Sequence, residues 1–281
     1  MVAVRQVIHL NYSQLRDFKK CPRLYEKKHI DGRAEEDDPK RAFIGHVLGK
    51  LVEQFYLLKW WRAPDALDWT MRQAADVLIR QVTDMDAIVW TPEEKAEWTH
   101  KIHEAIPTII ATVKREKLLS AQVFTEFETT LDYTDIVLGE TVQIHGRPDI
   151  VILRQHALTA LDAKAGGSLG KFTDRDQLRQ YSLALWRSKT FGRIPDRAGF
   201  WWLRHDKIVW LKVSAASLTK FEGRLKETAR RALAGPYEPT PGTWCRGCSF
   251  RMDCPEGRAH GMAKGSKTAI DVAGNLGTVS F

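Results

Sequence analysis

Two aspartates and a lysine stand in an arrangement that could hydrolyse phosphodiester bonds. Asp149 closes a Gly-Arg-Pro-Asp stretch, and thirteen positions later Asp162 begins the tripeptide Asp-Ala-Lys, which ends at Lys164. Because side chains two apart on a strand share one face, Asp162 and Lys164 are expected to point the same way. The two carboxylates and the carbonyl of Ala163 could hold Mg²⁺ or Mn²⁺, and the lysine could orient an attacking water. Alone, Asp-x-Lys is equally typical of an ion pair on a strand surface.

A glutamine and a tyrosine follow with helical spacing. Gln177 and Tyr181 are four residues apart on a helix predicted over 174–189, so they share one face. Above a metal site, this pair could hold the backbone of a substrate. The alternative is an ordinary amphipathic helix with Tyr181 half-buried and Gln177 in solvent.

All four cysteines fall into one pattern. Cys21 stands near the start of the chain, and Cys245, Cys248 and Cys254 follow together near its end. Disulfides are disfavoured in a reducing cytoplasm, so four thiols indicate a metal or a cluster. Zinc sites commonly use two close pairs, whereas this partition is one plus three. The spacing alone leaves iron–sulfur, zinc and four unconnected thiols open.

Charge and hydropathy restrict the class of protein. The 281 residues carry a formal charge of +8 and a pI near 9.3, which suits a polyanionic partner such as DNA but is also common in soluble proteins. No apolar run reaches the length of a membrane span, and the first residues lack the features of a secretion signal. We therefore expect a cytoplasmic protein without a membrane partner.

Hydrophobic periodicity predicts a mixed α/β chain. Helices are predicted over 12–29 with Ser13 as the cap, 41–62, 67–85, 92–117 after the cap Thr91, 174–189 and 216–234. Strands are predicted over 122–131, 141–145, 150–153 and 158–161 as a meander, and over 199–213 as a hairpin. Residues 31–40 are predicted to form a loop, and the segment after Pro255 a partly mobile tail. Of Trp201 and Trp202, which alternate on the hairpin, at least one must point inward.

Taken in order, the stretches Gly-Arg-Pro-Asp, Leu-Asp-Ala-Lys-Ala-Gly and Gln-Leu-x-x-Tyr resemble the motif set of RecB-like PD-(D/E)XK nucleases. The resemblance runs from about Ser13 to Pro255. It implies a restriction-endonuclease-like core, in which a mixed central sheet is flanked by helices. It further implies one domain over 1–255, with a helical lobe over about 41–120, a core over about 121–215 and a tail over 256–281. The implied catalytic residues are Asp149, Asp162, Lys164, Gln177 and Tyr181.

The cysteines extend this resemblance. Both Leu-x-x-Phe-x-x-Cys-Pro-x-x-Tyr, ending at Tyr25, and the Cys-Pro pair at 254–255 resemble the iron–sulfur staple of AddB and of CRISPR-associated exonucleases. This implies a [4Fe–4S] cluster that joins Cys21 to the segment 245–254, with zinc as the alternative. Losing such a cluster should cost folding as well as activity.

One position departs from the family pattern. RecB-like nucleases usually have Gly-x-x-x-His-x-x-x-Glu in an early helix, and that histidine is a metal ligand. Here Gly45 and Glu53 match, but the histidine position is Gly49. His46 lies about one turn earlier on a similar face and is a candidate substitute.

Two functions are therefore expected. The first is a Mg²⁺- or Mn²⁺-dependent DNA exonuclease, with some endonuclease activity left open, that acts in recombination, repair, phage DNA metabolism or CRISPR adaptation. The second is a catalytically weakened iron–sulfur subunit that binds DNA within a larger complex. The expected partners are DNA with a free or single-stranded end, a recombinase, helicase or CRISPR-adaptation protein, and further copies of the chain. Arg23, Arg175 and Arg179 are the candidate DNA contacts.

Overall fold

The computed structural model describes residues 7–34, 39–84, 89–120, 122–155, 157–166 and 174–262. The chain forms two compact units. The first, here called the sheet unit, comprises Met1–Tyr12 and Asp38–Leu225, and the second, the cysteine unit, comprises Ser13–Asp37 and Lys226–Phe281. No helix among the described residues is both long and apolar enough to cross a membrane.

A three-stranded sheet forms one part of the sheet unit. Its strands are β1 (Val7–Asn11), β3 (Thr129–Asp135) and β4 (Glu140–Gly146). The central strand is β4, which pairs parallel with β1 and antiparallel with β3. Leu10, Val142 and Ile144 are buried on one face, whereas His9 and Asn11 on the alternate positions are exposed.

A five-stranded mixed sheet carries most of the predicted chemistry. Its strands, in spatial order, are β2 (Gln122–Thr125), β5 (Ile150–Arg154), β6 (Ala157–Lys164), β7 (Arg197–Trp202) and β8 (Lys207–Leu211). Only the β6–β7 pair is parallel. Both Trp201 and Trp202 are fully buried, because they pack into clusters on opposite faces of β7. The prediction that at least one points inward is confirmed.

The helices of the sheet unit bury one apolar side each. They are α3 (Pro39–Leu57), α4 (Leu67–Thr83), α5 (Pro92–Arg115), α6 (Arg175–Arg187) and α7 (Ala215–Ala234), of which α7 runs into the cysteine unit. Side chains of α3, α4 and α5 form one cluster with residues of β5, β6 and β7. The predicted cap of α5 is confirmed, since the Thr91 hydroxyl accepts the Glu94 backbone N–H at 3.1 Å. The predicted end of α7 is confirmed too, with Gly235 at φ +67°.

The cysteine unit contains short helical segments around its thiols. They are α1 (Tyr12–Lys20, which starts in the sheet unit), α2 (Pro22–Tyr25), a π-helical segment Glu26–Ile30, 3₁₀ turns at Thr243–Gly247 and Arg251–Asp253, and α8 (Pro255–Met262). Buried Asp17 pairs with His29 Nε2 at 3.0 Å and with the Lys28 ammonium at 3.4 Å. These ion pairs hold the π-helical segment against α1.

Several predicted boundaries are wrong. The helix predicted over 12–29 is interrupted at Cys21 and begins at Tyr12, so that Ser13 lies inside its first turn. The helix predicted over 41–62 ends at Leu57, and Lys59 adopts φ +54° before a 3₁₀ turn. Residues 39–40 belong to α3 rather than to a loop. The segment after Pro255 forms α8 up to Met262; residues 263–281 of the predicted tail lie outside the described residues.

The predicted meander is also wrong. Residues 122–131 are two strands, because Glu126 adopts φ +49° and turns the chain from β2 into the other sheet. The hairpins β3–β4 and β5–β6 therefore lie in different sheets. Strand β1 was missed, since its five residues join the sheet through a parallel pairing with β4 that local sequence does not reveal.

Gly199 provides a test of sheet packing. It pairs with Trp210 across β7 and β8, and a Cβ there would lie 2.8 Å from atoms of both Ile208 and Trp210. Gly199→Ala is expected to lower stability by about 1–3 kcal/mol through overpacking. Gly223→Ala is the matched control, because its Cβ meets nothing within 4 Å in α7. We expect that control to stabilise the protein by up to about 1 kcal/mol. Thermal unfolding of both variants checks this, and equal shifts in Tm would contradict the packing argument.

Candidate active site

Backbone register brings the two predicted carboxylates together. Ile150, the first residue of β5, pairs with Leu161 on β6, so Asp149 and Asp162 are the next residues outward on adjoining strands. The Asp149 carboxylate accepts the backbone N–H of Ala163 at 2.6 Å, which fixes it against the end of β6. Asp162 is almost fully buried and Asp149 is half-buried. The pairing of β5 with β6 therefore fixes the positions of the two carboxylates.

Lys164 and two residues of α6 surround Asp162. The Lys164 ammonium forms a very short ion pair with Asp162 Oδ2 and donates to Gln177 Oε1 at 3.3 Å. Gln177 Nε2 donates to Asp162 Oδ1 at 2.8 Å and to the Tyr181 hydroxyl at 2.8 Å. The Tyr181 hydroxyl donates to the same Asp162 oxygen at 3.3 Å. Gln177 is therefore engaged in the site, unlike the solvated side chain of an ordinary amphipathic helix.

Hydrogen bonds at its N-terminus and from Gln180 hold helix α6 in position. Asp174 caps it by accepting the Asp176 backbone N–H at 3.0 Å, and the Tyr12 hydroxyl donates to the other Asp174 oxygen. One turn from the site, Gln180 Nε2 donates to the His145 carbonyl at 2.8 Å, which ties α6 to β4. Tyr12 and Asp174 therefore act as positioning residues for Gln177.

Burial controls the charge state of the carboxylates. Burial raises the pKa of Asp149 to about 7, and the nearby Asp162 carboxylate adds to that shift. Burial also raises the pKa of Asp162, and the Lys164 ammonium opposes this rise. Two buried acids that repel each other form a donor set suited to a divalent cation.

An open cavity lies on the Asp149 side of these residues. Its empty volume is about 1020 Å³, part of it open solvent, and it is lined by Asp149, Ala163 and one side of α3. On α3, Gly45, Gly49 and Glu53 follow at four-residue intervals and so share this side. A Cβ on Gly49 would meet nothing within 4 Å, so the position of the family histidine is open space. Among the described residues, no group of three or more His, Cys, Asp or Glu side chains is placed to hold one metal ion.

The remaining predicted site residues differ in their exposure and in their ion-pair partners. His46 lines the cavity but is exposed on α3, and Glu53 forms an ion pair with Lys50 at 2.5 Å. Arg175 is exposed near the start of α6, and Arg179 pairs with Asp176 at 2.7 Å. Arg23 belongs to the cysteine unit and pairs with Glu26 at 2.6 Å.

The sequence-based prediction missed two residues of the cavity. Glu126 and Arg147 both line it and form an ion pair at 2.8 Å, and the Glu126 backbone N–H donates to the Asp149 carbonyl at 2.9 Å. The Glu126 carboxylate also adds to the repulsion on Asp149. The positive φ that places Glu126 has no marker in the sequence, because it occurs at a residue other than glycine.

Comparison with known proteins decides the family. The family model described as the PD-(D/E)XK nuclease superfamily matches residues 9–255. The chain belongs to the PD-(D/E)XK nuclease superfamily. The predicted fold class is thereby confirmed, and a nuclease function with DNA as the implied substrate follows from membership. A search of curated proteins gave no match. Among solved structures, the one titled "Crystal structure of SSO0001" is 15% identical, with a TM-score of 0.34, and the match covers 92% of this chain and 90% of that one.

The cysteine unit of this PD-(D/E)XK nuclease gathers its four thiols around one cavity. Cys21, Cys245, Cys248 and Cys254 line a space with an empty volume of about 450 Å³. Three backbone N–H groups, of Thr240, Gly242 and Gly257, donate to the sulfurs of Cys21, Cys245 and Cys254 at 3.4 Å each. Lys20, Arg23, Lys27 and Arg251 line the same cavity. Burial raises the pKa of the Cys254 thiol, and the hydrogen bond from the Gly257 N–H opposes this rise.

Burial of Asp149 in this nuclease, together with repulsion from Asp162, predicts a gain of stability when the Asp149 charge is removed. In metal-free protein at pH 8, Asp149→Asn is expected to raise the free energy of unfolding by about 1–3 kcal/mol. An acid whose folded pKa is raised costs stability above its unfolded pKa, and this cost is complete above the folded pKa of about 7. The gain should therefore be small near pH 4, where the folded acid is protonated and the unfolded acid, with an ordinary pKa of 3.8, is about half protonated.

Thermal unfolding in EDTA at pH 4 and pH 8 measures this gain. Asp132→Asn, an exposed acid on β3, is the matched control and should change little. Mg²⁺ should then stabilise wild type more than the variant. A variant less stable than wild type at pH 8 without metal would show that the Ala163 hydrogen bond outweighs the repulsion.

Proposed function

We propose that this protein is a RecB-like, metal-dependent DNA exonuclease that hydrolyses phosphodiester bonds at DNA ends. The observation that carries the proposal is the adjoining pair of buried carboxylates, Asp149 and Asp162, with the Lys164 ammonium beside them next to an open cavity. A surface ion pair, the alternative for Asp-x-Lys, would not need a second buried acid with a raised pKa.

The donor set fits Mg²⁺ or Mn²⁺. Asp149 and Asp162 would supply hard carboxylate oxygens and Ala163 its carbonyl, with the remaining positions left to water and substrate. When bound, such a cation polarises the phosphate and acidifies a water. In its absence the two acids are held by Lys164 and by the Ala163 N–H, so the site is pre-formed.

The side chains around the acids have separate tasks. Lys164 is placed to donate to an attacking water and to stabilise charge that develops on the phosphate. Gln177 keeps both Asp162 and Lys164 in position through its amide, and Tyr181 supports Gln177 from the buried side. Replacing Gln177 should therefore disturb both catalytic groups at once.

The preference for DNA ends is supported by the resemblance to RecB-like exonucleases. Its test compares linear DNA with covalently closed circular DNA of the same sequence, in Mg²⁺ and in Mn²⁺. An exonuclease degrades the linear form progressively and leaves the circle intact. Equal cutting of both forms would replace the exonuclease proposal with an endonuclease. The same assay with single-stranded substrates defines the strand preference.

A catalytically weakened DNA-binding subunit is the second candidate function, and Gly49 is the observation that favours it. The family histidine is absent, and nothing else fills its place among the described residues. If a lost ligand limits the rate, Gly49→His should increase cleavage at limiting Mn²⁺ by about tenfold. Gly45→His is the matched control, since it adds an imidazole one turn away on the same side of α3.

Two other outcomes would change the role assigned to Gly49. If neither glycine variant changes the rate and His46→Ala abolishes cleavage, His46 has taken over the ligand role. If wild type binds DNA without cleaving it and Gly49→His restores cleavage, the weakened-subunit function replaces the exonuclease. Mn²⁺ affinity measured by calorimetry separates a restored ligand from a general effect on folding.

We further propose that the four cysteines hold a [4Fe–4S] cluster. The one-plus-three partition of the cysteines and their Cys-Pro contexts resemble the iron–sulfur staple of AddB and of CRISPR-associated exonucleases, whereas zinc sites commonly use two close pairs. The four thiols line one cavity, part of it open solvent, with amide donors on three sulfurs. Zn²⁺ is the alternative, and elemental analysis separates the two.

A further inference from the structure

A second polar cavity adjoins the candidate active site. It is lined by Asn11, Glu128, Thr129, His145, Gly146 and Arg147, with an empty volume of about 780 Å³, part of it open solvent. Strand register explains the grouping, since Asn11 pairs with His145 and Thr129 pairs with Gly146 at one edge of the three-stranded sheet. Apart from Arg147, its lining residues are separate from those of the candidate active-site cavity.

Arg147 connects the two cavities. It is the one residue that lines both of them, and its side chain is 61% exposed. His145 precedes Asp149 by four residues, so their Cα atoms are at most about 14 Å apart. Successive nucleotides of one strand advance about 3.4 Å in a duplex. A strand whose phosphate reaches Asp149 therefore passes the second cavity within a few nucleotides.

The chemistry of the second cavity suits a phosphodiester. Arg147 pairs with Glu126 through Nε at 2.8 Å, and its side chain is largely exposed to solvent. His9 Nδ1 and His145 Nε2 are 2.9 Å apart, so one imidazole donates to the other. Whichever of the two neutral imidazoles donates, the accepting ring carries its own hydrogen on the ring nitrogen that is not part of the shared hydrogen bond. His145 is the member of the pair that lines the cavity, and it carries an N–H on Nδ1 when His9 donates to its Nε2.

One acid opposes this preference. Glu128 lines the cavity and disfavours an anion close to it. Strand register places Glu128 opposite Arg147, next to the Thr129–Gly146 pair, whereas Asn11 pairs with His145 across β1 and β4, so the phosphate position is expected towards Asn11 and His145. A transition-metal site at the histidine pair is less suited, since no third ligand joins the two imidazoles among the described residues.

We propose that Arg147 and the His9–His145 pair form a subsite for the backbone phosphate of a nucleotide flanking the scissile bond. This inference rests on the proposed nuclease function, because it assigns the substrate that spans both cavities. Binding energy from such a remote contact positions the reacting phosphate over the acids. Arg147 and the imidazoles are positioning residues in this account.

The test measures binding without cleavage. Anisotropy of a labelled single-stranded DNA of about 20 nucleotides is titrated in EDTA at several salt concentrations. We expect His145→Ala and Arg147→Gln each to weaken binding about three- to tenfold, and Arg147→Gln to reduce the salt slope by about 0.7. His145→Gln, which keeps an N–H donor, should recover part of the loss. His100→Ala, an exposed histidine on α5, is the matched control.

Three results would overturn the subsite. They are unchanged affinity in both variants, equal loss in His100→Ala, and micromolar Zn²⁺ binding that His9→Ala removes while DNA affinity stays the same. Failure of the proposed nuclease function is distinguishable, since it shows as a wild type that binds DNA in EDTA but leaves it intact in Mg²⁺. A wild type that does not bind DNA at all would overturn the subsite directly.

Discussion

Lys164→Ala is expected to reduce Mg²⁺-dependent DNA cleavage by about 10²–10⁴-fold while leaving metal binding intact. The ammonium forms an ion pair with Asp162 but is itself no metal ligand, so its loss removes a catalytic donor and not a coordinating oxygen. Because it also competes for the Asp162 carboxylate, Mn²⁺ affinity should stay the same or rise. This combination separates Lys164 from the two acids, whose loss should weaken both activity and metal affinity.

Single-turnover cleavage and calorimetric Mn²⁺ titration check the Lys164 prediction. Lys212→Ala, an exposed lysine after β8, is the control and should behave as wild type. Removing one partner of a buried ion pair costs about 3–5 kcal/mol in stability, so unfolding must be followed in parallel. Cleavage within about threefold of wild type in a folded variant would remove Lys164 from the mechanism.

Cys248→Ser is expected to remove the iron–sulfur cluster and unfold the cysteine unit. The short helical segments of this unit surround the thiol cavity, and in such sites the binding free energy of the metal is folding free energy. When it is purified without oxygen, the Cys248→Ser variant should lack the brown colour of wild type. It should also be cleaved more readily by proteases within residues 13–34 and 226–262. Ser249→Ala, the exposed neighbour, should retain both properties of wild type.

Elemental analysis separates the alternatives for the cysteines. About four irons and four sulfides per chain are expected for wild type, and little or no iron and sulfide for Cys248→Ser. One zinc per chain with no sulfide would contradict the iron–sulfur cluster and leave a zinc site. Neither metal, with unchanged stability in Cys248→Ser, would show four unconnected thiols.

The grouping of the proposed catalytic residues could be predicted from the sequence because it depends on short-range periodicity. Asp162 and Lys164 share a face since strands alternate, and Gln177 and Tyr181 share one since helices repeat about every four residues. The two pairs meet because α6 lies in the connection between the parallel strands β6 and β7 and packs onto one face of the sheet. The structure groups Lys164, Gln177 and Tyr181 around Asp162 through an ion pair and hydrogen bonds, and the Ala163 N–H holds Asp149 on the adjoining strand.

What the sequence did not reveal depends on long-range pairing. Strand β1 exists because β4 accepts it over a separation of more than 130 residues. The break between β2 and β3 depends on one left-handed residue, Glu126, which local propensity would place in a continuous strand. The second cavity escaped prediction for the same reason, because Asn11 and His145 are brought together only by β1.

The most direct test of the central claim is cleavage of end-labelled single- and double-stranded DNA by wild type and Asp162→Asn, with Mg²⁺, with Mn²⁺ and with EDTA. The account predicts metal-dependent release of labelled products from DNA ends by wild type and loss of at least about 10³-fold in the variant. Cleavage that persists in EDTA, or that Asp162→Asn retains, would contradict the assignment of the site. DNA left intact by wild type under every condition would contradict the nuclease itself.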